Sequence, residues 1–160
     1  MKRIRPFPAA VFAASLTVTL LIYQHLAGQA GSRAQTAAAD LPFSATVTAG
    51  GFIFASGQIG LVPETGKLAG DDIESQTAQA LANIDTRLRQ AGSDLARVVK
   101  TTVFLADIGD YDAMNRVYRQ ALGANRPARS TVAVAGLARG AKIEIEAVAV
   151  AAPDTPIIRR

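Results

Sequence analysis

The order of helix-like and strand-like segments constrains the fold of this chain most. Apolar residues recur at helical spacing over residues 73–88 and 111–122, and Gly92 and Gly123 follow as stop signals. The strand-like runs, which alternate or are enriched in β-branched residues, are 45–48, 52–56, 98–105, 129–134 and 142–150. The order strand, strand, helix, strand, helix, strand, strand predicts an α+β fold with both helices on one face of a mixed sheet.

The two predicted helices have recognisable starts and apolar faces. Asp71 followed by Glu74 predicts a capping box before the first helix, and the second is expected to begin near Asp110. Apolar helical faces usually pack into a core, so we expect both stripes to be buried. The uncovered sheet face then needs cover, which a symmetric partner could supply. The stripes are Ile73, Thr77, Leu81, Ile84 and Leu88, then Tyr111, Met114, Val117, Tyr118, Ala121 and Leu122.

The N-terminal segment predicts export. Three basic residues within the first five positions precede an apolar run over residues 9–22, and Gly28-Gln29-Ala30 offers small residues for cleavage. An uncleaved segment would instead be a membrane anchor. A periplasmic or otherwise exported location is therefore expected. The predicted organisation is a signal peptide or anchor over 1–30, a flexible linker over 31–40, one domain over 41–153 and a tail over 154–160.

The net charge of +4 comes from the N-terminal segment. The excess basic residues are Lys2, Arg3, Arg5 and Arg33, which lie upstream of Asp40. From Asp40 onwards, the remaining 13 of the 17 basic residues equal in number the 13 acidic residues. Nucleic-acid binders usually carry a basic stripe, because phosphate neutralisation dominates their affinity. We therefore expect no nucleic-acid partner.

The residue types exclude several classes of catalysis. The chain has no cysteine, and its single histidine, His25, lies in the N-terminal segment. Cysteine nucleophiles, histidine general bases, Ser-His-Asp triads and His/Cys zinc sites are therefore absent from the predicted domain. Chemistry there must use arginine, lysine, carboxylates, hydroxyls or backbone groups.

One arginine and one carboxylate are the leading candidates for a site. Arg129 starts an alternating run, so a strand end can direct its planar guanidinium towards a carboxylate in a cleft. A surface ion pair is the alternative. Glu144 shares a strand face with Glu146, and such a pair is often solvated. In a cleft, however, mutual repulsion would help one of the two carboxyl groups handle protons.

Two further positions could line such a cleft. Ser56-Gly57-Gln58 is expected to end the second strand, where a glycine lets backbone N–H groups approach a ligand closely. A plain strand-to-turn transition has the same pattern. Asn115 interrupts the apolar period of the second helix and either binds a ligand or is simply exposed.

Five motifs carry a resemblance to a known family. They are SGQIG at 56–60, VVKTTVFLADI at 98–108, NRVY at 115–118, PARS at 127–130 and IEIEA at 143–147. In their order and spacing these motifs resemble the RidA family, also called YjgF or liver perchloric-acid-soluble protein. The resemblance covers nearly all of residues 41–151.

The resemblance implies a fold, an assembly and an activity. The implied fold is a chorismate-mutase-like α+β subunit, assembled as a homotrimer with clefts between neighbouring subunits. The implied enzyme is a 2-iminobutanoate/2-iminopropanoate deaminase-type hydrolase that needs no metal or organic cofactor. It converts small imino or enamino acids, such as 2-aminoacrylate, to 2-keto acids and ammonia. An iminium carbon is already electrophilic, so a positioned water and a carboxylate anchor can suffice.

Residue roles follow from the same resemblance. Arg129 is expected to hold the substrate carboxylate, and Glu144 to orient or activate the attacking water. Phe43 stands where many family members have tyrosine, so one hydroxyl is missing. The implied substrate-binding residues are Phe43, Ser56, Gly57, Asn115, Arg129 and Thr131, the last through its backbone.

Two other functions stay open. A trimeric binding or chaperone-like protein that captures small carboxylates without turnover is favoured by Phe43 and by the predicted export signal. An endoribonuclease is the activity often attached to the family name, but the neutral domain and its lack of histidine argue against it.

Overall fold

The structure is a computed structural model and describes residues 42–152. The predicted signal peptide, linker and C-terminal tail lie outside the described residues. Within the described range, no helix is both long enough and apolar enough to cross a membrane.

Residues 42–152 contain one five-stranded sheet, a short hairpin and two α-helices. The strands are β1 (Thr46–Ala49), β2 (Phe52–Ile59), β3 (Leu61–Val62), β4 (Lys67–Leu68), β5 (Val98–Leu105), β6 (Ala128–Ala133) and β7 (Ile143–Val150), and the helices are α1 (Ile73–Gln90) and α2 (Tyr111–Leu122). The sheet order is β1-β2-β7-β5-β6, while β3 and β4 pair separately. Strands β5 and β6 run parallel, and every other neighbouring pair is antiparallel.

Both helices pack on one face of the sheet, which confirms the predicted α+β fold. On β7 every second side chain is buried, because a strand alternates its side chains between two faces. Tyr118 and Met114 of α2 join the same core as Leu81 of α1. The residues of β7 that face the helices are Ile143, Ile145, Ala147 and Ala149.

The other face of the sheet is apolar and exposed. Phe54 and Val132 project from it, 47% and 45% exposed, and Phe52 and Val150 form a directly opposed cross-strand pair. Burying such side chains would contribute about 25 cal/mol for each Å² removed from water. The predicted need for cover on this face therefore stands, although the structure contains a single chain.

The predicted start of the first helix is wrong by one residue. Asp72, rather than Asp71, is the N-cap of α1. The Asp72 backbone is extended, and the Asp72 side chain accepts a hydrogen bond from the Ser75 N–H at 2.7 Å. That hydrogen bond holds the pKa of Asp72 below its ordinary value. Glu74 does not complete a capping box, and pairs at 3.0 Å with Arg116 of α2.

A buried glutamine ties α1 to the sheet. Gln76 is almost fully buried; its amide nitrogen donates to the Gly70 carbonyl, and its amide oxygen accepts the N–H of Lys142 at 2.9 Å. Gly60 lies so close that a Cβ there would be 2.6 Å from the Gln76 Cα. The hydrogen bonds satisfy polar groups that would otherwise be costly to bury.

Candidate active site

Arg129 lies on the helix-facing side of β6. It pairs in register with Thr101 of β5, whose hydroxyl reaches the Tyr118 hydroxyl at 2.7 Å. The Arg129 guanidinium lies 4.6 Å from the centre of the Tyr118 ring and 5.7 Å from that of Tyr111. It also donates to the Tyr111 hydroxyl at 3.3 Å. Two aromatic rings thus orient the arginine through cation–π contacts.

Tyr118 links this arginine to the core. Burial raises the pKa of the phenol, while its hydrogen bond to Thr101 and the positive charge of Arg129 act in the opposite direction. Because an ordinary tyrosine already has a pKa of about 10 and that of Tyr118 is raised further, the phenol is neutral at physiological pH. The ring therefore positions Arg129 without neutralising it.

Arg129 opens onto a cavity of about 520 Å³. Asn115 and Thr131 line the same cavity, so the structure brings together three of the predicted substrate-binding residues. The Thr131 hydroxyl is buried and has no hydrogen-bond partner within residues 42–152. The full lining is Tyr111, Asn115, Tyr118, Arg119, Leu122, Asn125, Arg126, Pro127, Arg129 and Thr131.

Glu144 lies elsewhere, beside Ser56 and Gly57. It pairs with Phe104 on one side and Ile59 on the other, and is half-buried. A Cβ at Gly57 would overlap the Glu144 carboxylate, at 2.8 Å from its carboxyl carbon. The Ser56 hydroxyl donates to the Ser44 carbonyl at 2.7 Å. Gly57 and Glu144 are therefore in close contact and form a second group of predicted residues, with Ser56 next to Gly57 on β2.

The prediction that Ser56-Gly57-Gln58 ends the second strand is wrong. Strand β2 continues to Ile59, and its register with β7 shifts between Ala55 and Gln58. Such a bulge inserts an extra residue and redirects the local side chains. Gly57 belongs to that irregularity, where the absence of a side chain admits Glu144.

The two predicted catalytic residues point to opposite faces of the sheet in one chain. Arg129 shares its face with Thr101 and, through β5, with buried Ala147. Glu144 is three residues before Ala147 on β7 and so faces the other way. Glu144, Ser56 and Gly57 do not line the Arg129 cavity. A single chain therefore holds the predicted site residues in two separate groups.

The sequence matches a known protein family. Residues 32–151 match the family described as Endoribonuclease L-PSP. The chain belongs to this family. Within the Endoribonuclease L-PSP family, the predicted resemblance to RidA proteins is confirmed by the relatives.

The relatives include deaminases and a solved structure. Over 108 residues the chain is 45% identical to Reactive Intermediate Deaminase A, chloroplastic, of Arabidopsis thaliana, covering 68% of this chain and 58% of that protein. Over 114 residues it is 45% identical to the 2-iminobutanoate/2-iminopropanoate deaminase of Homo sapiens, covering 71% and 83%. The crystal structure of E. coli TdcF with bound serine matches with a TM-score of 0.66 and 36% identity, covering 69% and 89%.

Phe43, a predicted cleft residue, lies at the start of the described residues. Its side chain is 57% exposed. Its place in the cleft of this family member stays a prediction. Residues 42–152 contain no group of three His, Cys, Asp or Glu side chains that could hold a metal ion.

Seven of the ten residues that line the cavity were not predicted as site residues, among them two tyrosines and two arginines. The apolar stripe predicts both tyrosines as core; Tyr118 is buried, but the prediction is wrong for Tyr111, which is 39% exposed, and both rings contact Arg129. Arg119 and Arg126 line the cavity, although neither belongs to a pattern that singles it out. The one usable signal was the type of residue: a tyrosine on an apolar stripe carries a hydroxyl that needs a partner when buried.

Proposed function

We propose that this chain hydrolyses reactive enamines and imines, such as 2-aminoacrylate, to 2-keto acids and ammonia. The observation that carries the proposal is the placement of Arg129, oriented by two tyrosine rings at a cavity of about 520 Å³. The relatives named as deaminases of 2-imino acids support it. So does the serine bound by TdcF, because serine carries an α-carboxylate of the same kind.

The chemistry requires little beyond anchoring and one proton acceptor. Arg129 holds the substrate carboxylate through paired charge-assisted hydrogen bonds, and Asn115 and the Thr131 backbone contact the rest of the ligand. Glu144 accepts a proton as the water oxygen bonds to the iminium carbon, then passes that proton to the nitrogen. The carbon–nitrogen bond breaks and ammonia leaves with the bonding electron pair, while the new hydroxyl gives its proton to Glu144, which passes it to water, and becomes the keto group.

A homotrimer would join the Arg129 group of one subunit to the Glu144 group of another, as two half-sites of one cleft. Because Arg129 and Glu144 face opposite sides of the sheet, a complete site needs the Glu144 group of one subunit beside the Arg129 cavity of another. The exposed apolar sheet face supports association, since Phe54 and Val132 would be buried by a second copy. Each assembled cleft would then hold one arginine anchor and one carboxylate.

The experiment that tests the activity measures ammonia and keto acid together. An amino-acid oxidase generates the imine of 2-aminobutyrate in situ, and purified chelator-treated protein is added. We expect both products to form faster than in buffer, with equal stoichiometry. Thermal stabilisation by 2-oxobutanoate without any acceleration would instead favour the non-catalytic binding protein.

Export is a separate part of the proposal. The basic, apolar and small-residue pattern of residues 1–30 supports a signal peptide or an uncleaved anchor, and hence a periplasmic domain. Cell fractionation followed by N-terminal sequencing tests it. A cytosolic protein that still begins at Met1 would contradict export.

A further inference from the structure

The cavity beside Arg129 carries more positive charge than a single carboxylate requires. Arg119 and Arg126 line it together with Arg129, and none of its described lining residues is acidic. Within residues 42–152, these three arginines form no ion pair. Three guanidinium groups therefore border one cavity without a carboxylate partner from this part of the chain.

Within residues 42–152, hydrogen bonds hold only one of the nitrogens of the Arg126 guanidinium. Its Nη1 donates to the carbonyls of Gly123 and Asn125, the second at 2.8 Å, where α2 ends. A cation is favourable there because the helix dipole is negative at its C-terminus. The other guanidinium nitrogens have no hydrogen-bond partner in the described range, so they can donate to a ligand.

Arg119 extends the same positive surface along α2. It follows Tyr118 directly, and its side chain forms no hydrogen bond within the described residues. Asn125, which also lines the cavity, fixes the loop after α2 by donating to the carbonyls of Leu95 and Val98 at 2.8 and 2.9 Å. The backbone that carries Arg126 is therefore anchored to the start of β5.

We propose that this cavity selects ligands with two carboxylates. This proposal rests on the proposed function. The preferred substrates would then be 2-imino dicarboxylic acids, such as the imines of aspartate and glutamate. Arg129 holds the carboxylate next to the imine, and Arg119 and Arg126 hold the distal one. Each substrate carboxylate offsets one of the three guanidinium charges, so a dicarboxylate leaves less uncompensated positive charge in the cavity than a monocarboxylate does.

Binding of the keto-acid products tests the inference without turnover. The probes are 2-oxoglutarate and 2-oxobutanoate, titrated calorimetrically at constant ionic strength. We expect 2-oxoglutarate to bind at least about tenfold more tightly, as one extra charge-assisted interaction would give. The double variant Arg119→Gln, Arg126→Gln should abolish that preference. Arg97→Gln, an exposed arginine that does not line the cavity, is the matched control and should keep it.

Turnover separates this inference from the proposed function. With imines of glutamate and 2-aminobutyrate, the ratio of kcat/KM values should favour glutamate and fall about tenfold in the double variant. Equal binding of the two keto acids, or a preference that survives the double substitution, would overturn the inference while leaving imine hydrolysis intact. Selective binding of 2-oxoglutarate without hydrolysis of either imine would support the anion selectivity and contradict the deaminase.

Discussion

The Arg129 guanidinium lies 4.6 Å from the centre of the Tyr118 ring, and the Tyr118 hydroxyl lies 2.7 Å from the Thr101 hydroxyl. Tyr118 and Thr101 are both buried. Arg129, the proposed substrate anchor, is thereby connected to the core through one aromatic side chain. Such a cation–π contact is worth about 0.5–2 kcal/mol, depending on its exposure to water.

Removing the ring should loosen the anchor. We expect Tyr118→Leu to raise KM for imine substrates about tenfold, because Arg129 loses the aromatic face that orients it. Tyr118→Phe keeps the ring and is the matched control, so its KM should change much less. Steady-state kinetics on both variants provides the measurement. Equal effects of the two substitutions would show that the hydroxyl, rather than the ring, matters.

The raised pKa of Tyr118 predicts a pH dependence of stability. Burial favours the neutral phenol in the folded state, whereas the unfolded chain ionises near the ordinary pKa of about 10. The stabilising contribution is therefore complete below pH 10 and is lost as the pH rises through the folded pKa. Urea unfolding between pH 8 and 11 should show a shallower alkaline loss for Tyr118→Phe than for wild type. Parallel curves would contradict this assignment.

Gly57 should matter for activity more than for stability. A methyl group at position 57 would overlap the Glu144 carboxylate, but that carboxylate is the end of a flexible side chain and can move away. Displacing a catalytic group by about 1 Å can cost about 100-fold in rate. We expect Gly57→Ala to lower kcat strongly and the melting temperature only slightly. Gly136→Ala, where a Cβ meets nothing within 4 Å, is the control.

Much of the fold followed from the sequence, because helical spacing and strand alternation are local properties. The hairpin of β3 and β4 was not predicted, because each strand has only two residues and shows no alternation. Arg129 and Glu144 stood out as charges within alternating runs. Their placement on opposite faces could not be predicted, because it depends on the register that joins β6 to β5 and β5 to β7. A one-residue change in that register would reverse the relationship.

Glu144→Gln should impair turnover more than binding. The amide keeps the shape of the carboxylate but cannot accept a proton in the same way, so we expect kcat to fall about 10²–10⁴-fold. Binding of 2-oxobutanoate, measured by calorimetry, should change little. An unchanged kcat would remove Glu144 from the proton transfer.

Mixing two inactive variants tests whether the half-sites meet between subunits. Glu144→Gln and Arg129→Ala chains, refolded together, should regain part of the wild-type activity. Some mixed clefts would then combine an intact arginine with an intact carboxylate. Activity no greater than that of the separate variants would contradict a shared cleft.

The most direct test of the proposed deaminase is imine hydrolysis by Arg129 variants of verified fold. Arg129→Lys should lose most of its kcat/KM, because a point ammonium cannot reproduce the fork that binds a carboxylate at about 1.5–3 kcal/mol for each charged hydrogen bond. Arg129→Ala should lose more, while both variants retain cooperative thermal unfolding. Near-wild-type hydrolysis by a folded Arg129→Ala protein would contradict the deaminase site.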